Sequence, residues 1–191
     1  RRNEYFDDYV KSLVTEDEIN KYYKDDVFGD VDSKHILVKI DAEGKEGLSD
    51  EDAKKLSQEI IKKLDSGKTW DEVITEYKDK IISEELGYQP FNASLEKAYL
   101  DECKKLEVGK YSKTPVLTSY GYHIVYKIDQ KETPTFEEIK GDVIEILANE
   151  KKSADENLYQ KTLFAMRDEA KLEFVDTVLG EQYKKLKDSY K

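Results

Sequence analysis

Two runs of apolar and β-branched residues lie far apart in the sequence: Lys34-His35-Ile36-Leu37-Val38-Lys39-Ile40, and Tyr122 to Asp129. Most of what separates them carries helical spacing. Such runs read as strands, and a sheet built from so few of them needs its helices as a cover on at least one face. After the first run, Ser49 opens a helix bearing Ala53, Leu56, Ile60, Ile61 and Leu64, closed by Gly67. Thr69 and Glu72 form a capping box, and Trp70, Val73, Ile74 and Tyr77 make the stripe behind it. Glu85-Leu86-Gly87 leads into an irregular stretch, Tyr88-Gln89-Pro90-Phe91, and then a short helix from about Leu95 to Leu106 that ends at Gly109. Pro115 to Thr118 reads as a strand, and Tyr120-Gly121 as the turn into the second strong run. The order from Ser33 to Asp129 is therefore β-α-α-α-β-β, an α+β arrangement with a small antiparallel or mixed sheet.

Helical patterns flank this block. Residues 1 to 28 read as helix, with a capping box at Thr15 and Glu18 ahead of Ile19, Tyr22, Tyr23 and Val27, and Gly29 as the stop. Thr135 and Glu138 form a third box. It opens a long amphipathic helix (Phe136, Ile139, Val143, Ile146, Leu147) expected to run, with a break, to about Ala170. Lys171 to Val175 reads as a short strand or extended link, and Thr177 starts a last helix. The expected division is 1–30, 31–131 and 132–191.

Composition narrows the function classes. Apolar residues are 38% and charged residues 39%, which suits a compact core with solvated helices rather than one large globule. A net charge of -11 argues against nucleic acid as the main partner, since phosphate contacts need a basic surface. Cys103 is the one cysteine, so no internal disulfide and no cysteine metal site can form; two histidines without a third ligand at suitable spacing make a metal site equally poor. No run reaches the roughly 20 apolar residues of a membrane span. The opening Arg1-Arg2-Asn3-Glu4 is charged and helix-like, so the natural N-terminus, with any signal or lipid anchor, is expected to lie outside this sequence.

The stretch from Ser33 to Asp129 resembles the parvulin family of prolyl isomerases. The motifs are His35-Ile36-Leu37-Val38, Trp70-Asp71-Glu72-Val73, Glu85-Leu86-Gly87, Leu106-Glu107-Val108-Gly109-Lys110 and Gly121-Tyr122-His123-Ile124, in family order. The flanks, Val14 to Tyr23 and Pro134 to Ile139, look like helical segments of PrsA-type foldases. The resemblance implies a parvulin (FKBP-like) isomerase domain between two helical segments that combine into a chaperone domain. It implies a foldase acting on exported polypeptides with X-Pro bonds, extracytoplasmic and lipid-anchored at the outer face of the cell membrane, without a cofactor, and homodimeric through its helical part.

Prolyl isomerisation breaks no bond; its barrier of roughly 18–20 kcal/mol is amide resonance lost on twisting. A catalyst needs an apolar slot for the proline ring and hydrogen-bonding groups around the displaced carbonyl. His35 and Leu37 share one strand face, and His123 lies with Val125. The resemblance implies that the two imidazoles meet across adjacent strands, hydrogen-bond and fix each other's tautomers. The plain alternative is a buried pair with no chemical role. Thr118 and Tyr120 fall where the family carries polar residues near the substrate carbonyl. Leu95 and Tyr99 fall in the proline slot, with Leu86 and Phe91 as its wall; the alternative for Leu95 and Tyr99 is the buried face of a short helix.

Two departures from the family stand out. Tyr77 to Glu85 is shorter than the corresponding loop, with Lys80 nearest the usual Asp or Cys, and Lys104 replaces a common aromatic. They favour an alternative reading: a catalytically weak or inactive parvulin domain serving a holdase-type chaperone, to which fourteen tyrosines would lend adaptable surface. The loop from Asp41 to Gly47 has one lysine among acidic residues, so phosphoprotein substrates are not expected.

Overall fold

The computed structural model describes residues 2–41 and 47–190. The expectation of a mostly acidic loop concerns 42–46, outside the described residues. Element order is α1 (Arg2–Ser12), α2 (Glu16–Asp26), β1 (Val31–Lys39), α3 (Asp50–Asp65), α4 (Trp70–Tyr77), β2 (Ile82–Gln89), α5 (Lys97–Lys105), β3 (Val116–Thr118), β4 (Gly121–Gln130), α6 (Phe136–Ala154), α7 (Leu158–Glu169) and α8 (Thr177–Asp188). The chain divides into two compact units, Arg1–Asp26 with Thr135–Lys191, and Val27–Pro134.

In the Val27–Pro134 unit, four antiparallel strands lie in the order β2-β1-β4-β3. The class is the α+β one expected, with β1 and β4 at the centre as the two apolar runs require. Pleating sends Ile36, Val38, Tyr122 and Ile124 to one face, where Ala53, Ile60, Ile61 and Leu64 of α3 and Val73 and Tyr77 of α4 complete the core. The opposite face carries Ser33, His35, His123, Val125 and Lys127, all buried, and packs on α5. Ser49 caps α3 by accepting from the Asp52 amide, and Thr69 with Glu72 closes the box that starts α4.

Strand β2 departs from the expected order. Its residues are mostly exposed, so it has no apolar alternation to betray it. Main-chain pairing with β1 holds it as an edge. The register slips between Ser33 and Lys34, leaving Leu86 as the extra residue of a bulge. Gly121 begins β4 at φ 138, and a Cβ there would meet the Val38 carbonyl oxygen at 2.2 Å, so only glycine lets β4 close on β1. The two ends of the unit are neighbours: Val31 pairs with Gln130, and the Lys131 amide donates to the Asp30 carbonyl at 2.9 Å.

In the other unit, α1 and α2 pack against α6, and α7 against α1 and α6. The core is Val10, Ile19, Ile139, Val143, Ala148 and Phe164. Lys140 reaches Glu16 at 2.7 Å and Lys151 reaches Glu18 at 2.6 Å, tying α6 to α2. The helical reading of residues 1 to 28 resolves into two helices, the second starting at the Thr15–Glu18 box as its capping pattern implies. Lys171 to Val175 is irregular rather than a strand; Lys171 takes a left-handed φ of 51, and Leu172 and Val175 are exposed.

Candidate active site

A hollow of about 670 Å³ opens between the outer part of the sheet and the loop before α5. His35 of β1 and His123 of β4 stand on the same face. Their rings are 4.9 Å apart at 83°. Tyr99, from the first turn of α5, sets its ring 5.6 Å from His35 and 5.5 Å from His123. Three rings thus meet edge to face, an arrangement that favours each contact. The Tyr99 hydroxyl is 3.1 Å from the Ser33 hydroxyl.

Thr118, at the end of β3, lies with its hydroxyl 2.8 Å from His123 Nε2 and accepts from the Tyr120 amide at 3.2 Å. The expected hydrogen bond between the imidazoles is absent. Neither Nδ1 has a hydrogen-bond partner among the described residues, because the rings meet perpendicular rather than in plane. The orienting partner of His123 is Thr118 instead.

Burial governs the ionisation of these groups. It pushes His35 below the ordinary imidazole value, with Glu84 opposing it. It lowers His123 to about 4, and the neighbouring His35 adds to the effect. Both rings are therefore neutral at pH 7 and able to donate or accept one hydrogen bond at each nitrogen. Burial raises the Tyr99 phenol, which stays protonated. Among the residues lining the hollow none is an activated nucleophile; apolar walls and neutral donors stand together with the charged Lys39, Glu84, Glu96 and Lys97.

His35, His123, Thr118, Tyr120, Leu86, Leu95 and Tyr99 all line the hollow. Leu95 does so from the loop before α5, which begins two residues later than expected. Phe91 is a correction. It is not among the residues lining the hollow; the turn after Pro90 carries its ring, buried, to Phe28 at 6.5 Å. Lys80 also falls outside the hollow and lines a neighbouring one of about 400 Å³ with Lys39 and Lys78. Leu37 and Ile82 extend the apolar lining, while Glu84 and Glu96 line it as acids. Leu37 was within reach of the sequence, since it alternates with His35. Ile82 and Glu84 sit on the unrecognised edge strand.

The chain matches the model of the PPIC-type PPIase domain over residues 14–141. It is similar to foldase protein PrsA 4 of Bacillus cereus, 30% identical over 184 residues that make 95% of this chain and 59% of the relative. Foldase protein PrsA 1 of the same organism is 32% identical over 147 residues, 74% of this chain and 44% of the relative. The chain thus spans about half the length of these curated relatives. A crystal structure of peptidylprolyl isomerase PrsA from Bacillus cereus superposes with a TM-score of 0.57 at 28% identity, covering 95% of this chain and 64% of that one.

Proposed function

Since the chain belongs to the PPIC-type PPIase domain family, we propose that its hollow accelerates cis–trans rotation about X-Pro bonds in folding polypeptides. One observation carries the proposal: neutral His35 and His123, with Thr118 and Tyr120, stand beside an apolar slot formed by Leu86, Leu95 and Tyr99. The proline ring enters that slot. As the amide twists, its oxygen leaves the plane and its nitrogen regains a lone pair, so hydrogen-bond needs change at both atoms. Buried neutral donors meet them without desolvating a charge, which favours the twisted form over either planar one.

In this reading residues 31–131 are the catalytic domain, and segments 1–30 and 132–191 belong to a helical chaperone domain that holds unfolded exported clients. The similarity to foldase PrsA proteins along most of the chain supports polypeptide clients outside the cytoplasm; a lipid anchor and a homodimeric helical part extend the reading by the family resemblance alone. No helix of the described residues is long and apolar enough to cross a membrane.

A second reading, the catalytically weak holdase, draws on Lys80 lying outside the slot and on the exposed Leu172, Val175, Val178 and Leu179 of the C-terminal segment. A coupled cis-to-trans assay on an Ala-Pro-type peptide separates the two. Isomerase function requires a rate above buffer; a rate equal to buffer leaves the holdase alone.

A further inference from the structure

Lys127 is the largest fully buried side chain among the described residues, at 1% exposure. It stands on β4 in the same row as His123 and Val125, beneath α5. No carboxylate lies within ion-pair distance of it among the described residues. Its Nζ donates instead to the Leu106 carbonyl at 2.6 Å, and Cys103 of α5 lies beside it. An ammonium buried with a single carbonyl is a costly choice where a methionine of similar bulk would pack freely. The cost calls for a compensating role.

Its place supplies one. Leu106 is the C-cap of α5, where the last carbonyls of a helix have no intrahelical partner and a cation meets the negative end of the dipole. Helix α5 has nine residues, too short to hold its own geometry, so its seat is set by its fastenings. Its amino-terminal end is tied by Tyr99 to Ser33, its carboxyl end by Lys127 to Leu106. The β4 backbone adds to the second tie: the Gly109 amide donates to the Lys127 carbonyl at 2.8 Å, and the Lys127 amide to the Lys110 carbonyl at 2.9 Å. Between the ties, α5 carries Tyr99 to both imidazoles.

We infer that Lys127 is a positioning residue of the slot: its buried ammonium pins the carboxyl end of α5 and so fixes the seat of Tyr99 against His35 and His123. This rests on the isomerase reading for its consequence in rate, but not for its geometry. The test compares Lys127→Met with the unchanged chain by melting temperature, by kcat and KM on an Ala-Pro-type peptide, and by the NMR resonances of the two imidazoles. The variant keeps or gains melting temperature. Its kcat/KM falls roughly tenfold, mainly through KM, as a displaced binding wall requires, and both imidazole resonances shift as the Tyr99 ring moves. Unshifted resonances with unchanged kcat/KM overturn the inference, as does a loss of activity that only tracks unfolding. If the methionine variant does not fold, Lys127→Gln carries the test with smaller shifts of the same kind, and wild-type resonances in it overturn the inference. An unchanged chain without isomerase activity sinks the function proposed above and leaves the resonances to decide this one.

Discussion

His35 and His123 are not partners across the ladder: His35 stands opposite Val125 and Leu37 opposite His123, so the imidazoles meet on the diagonal. Diagonal neighbours in an antiparallel pair are within reach only of larger side chains. That offset turns the rings edge to face and leaves His123 Nε2 for Thr118.

His123→Ala removes a buried ring from between His35, Tyr99 and Thr118 and takes from the Thr118 hydroxyl its 2.8 Å partner, leaving it the Tyr120 amide and the Gly121 carbonyl. A loss of about 2 kcal/mol in unfolding free energy is expected, mostly from the cavity and partly from the lost hydrogen bond. Urea unfolding measures it, and an unchanged midpoint would contradict the packing described.

Acid should unfold the protein partly through these rings. Their folded pKa values lie below that of a free imidazole, so between pH 6.5 and about 4 the unfolded chain binds more protons. Stability then rises with pH across that window and levels off above it. The His123 shift alone is worth on the order of 3 kcal/mol. Unfolding series at pH 4, 5.5 and 7 should show the slope in the parent and a shallower one in His123→Phe. The isomerisation rate should be flat from pH 7 to 8, where both rings stay neutral.

Leu95→Ala and Tyr99→Phe should part company. Leu95 is half-buried in a loop, so its truncation raises KM several-fold with a stability loss below about 1 kcal/mol. Tyr99→Phe keeps the ring but removes the amino-terminal tie of α5 to Ser33, costing about 1 kcal/mol and lowering kcat/KM about two-fold. Kinetics on one peptide, beside thermal melts, distinguish them.

Gly121→Ala should be severe. Its φ disfavours any side chain, and the new Cβ would strike the Val38 carbonyl. A loss above about 3 kcal/mol is expected, with loss of soluble protein, and circular dichroism melts would read it.

Legibility in the sequence followed the range of the interaction. The three Thr-Glu capping boxes are local, and all three start helices where their spacing places them. The runs around His35 and His123 carry enough apolar residues to declare themselves central strands. Strand β2 does not: Ser83, Glu84 and Glu85 are solvated, and only backbone pairing with β1 makes them a strand. That pairing is nonlocal, so no residue pattern announces it. Phe91 lies between Leu86 and Leu95 in the sequence, but the turn at Pro90 decides where its ring goes. The polar side of the slot was readable through the family motifs, whereas the diagonal offset of the imidazoles depends on a register that composition cannot supply.

The adjacency of Asp30 and Lys131 gives the Val27–Pro134 unit the form of a cassette. Its entering and leaving backbones run side by side, close enough that a side chain on Gly29 would collide with the Lys131 carbonyl. A segment whose two ends coincide can be deleted, transplanted or permuted by a short splice, without rethreading the helices before and after it. Evolution could therefore gain or discard the Val27–Pro134 segment in one genetic event, while the helices before and after it kept their own connectivity.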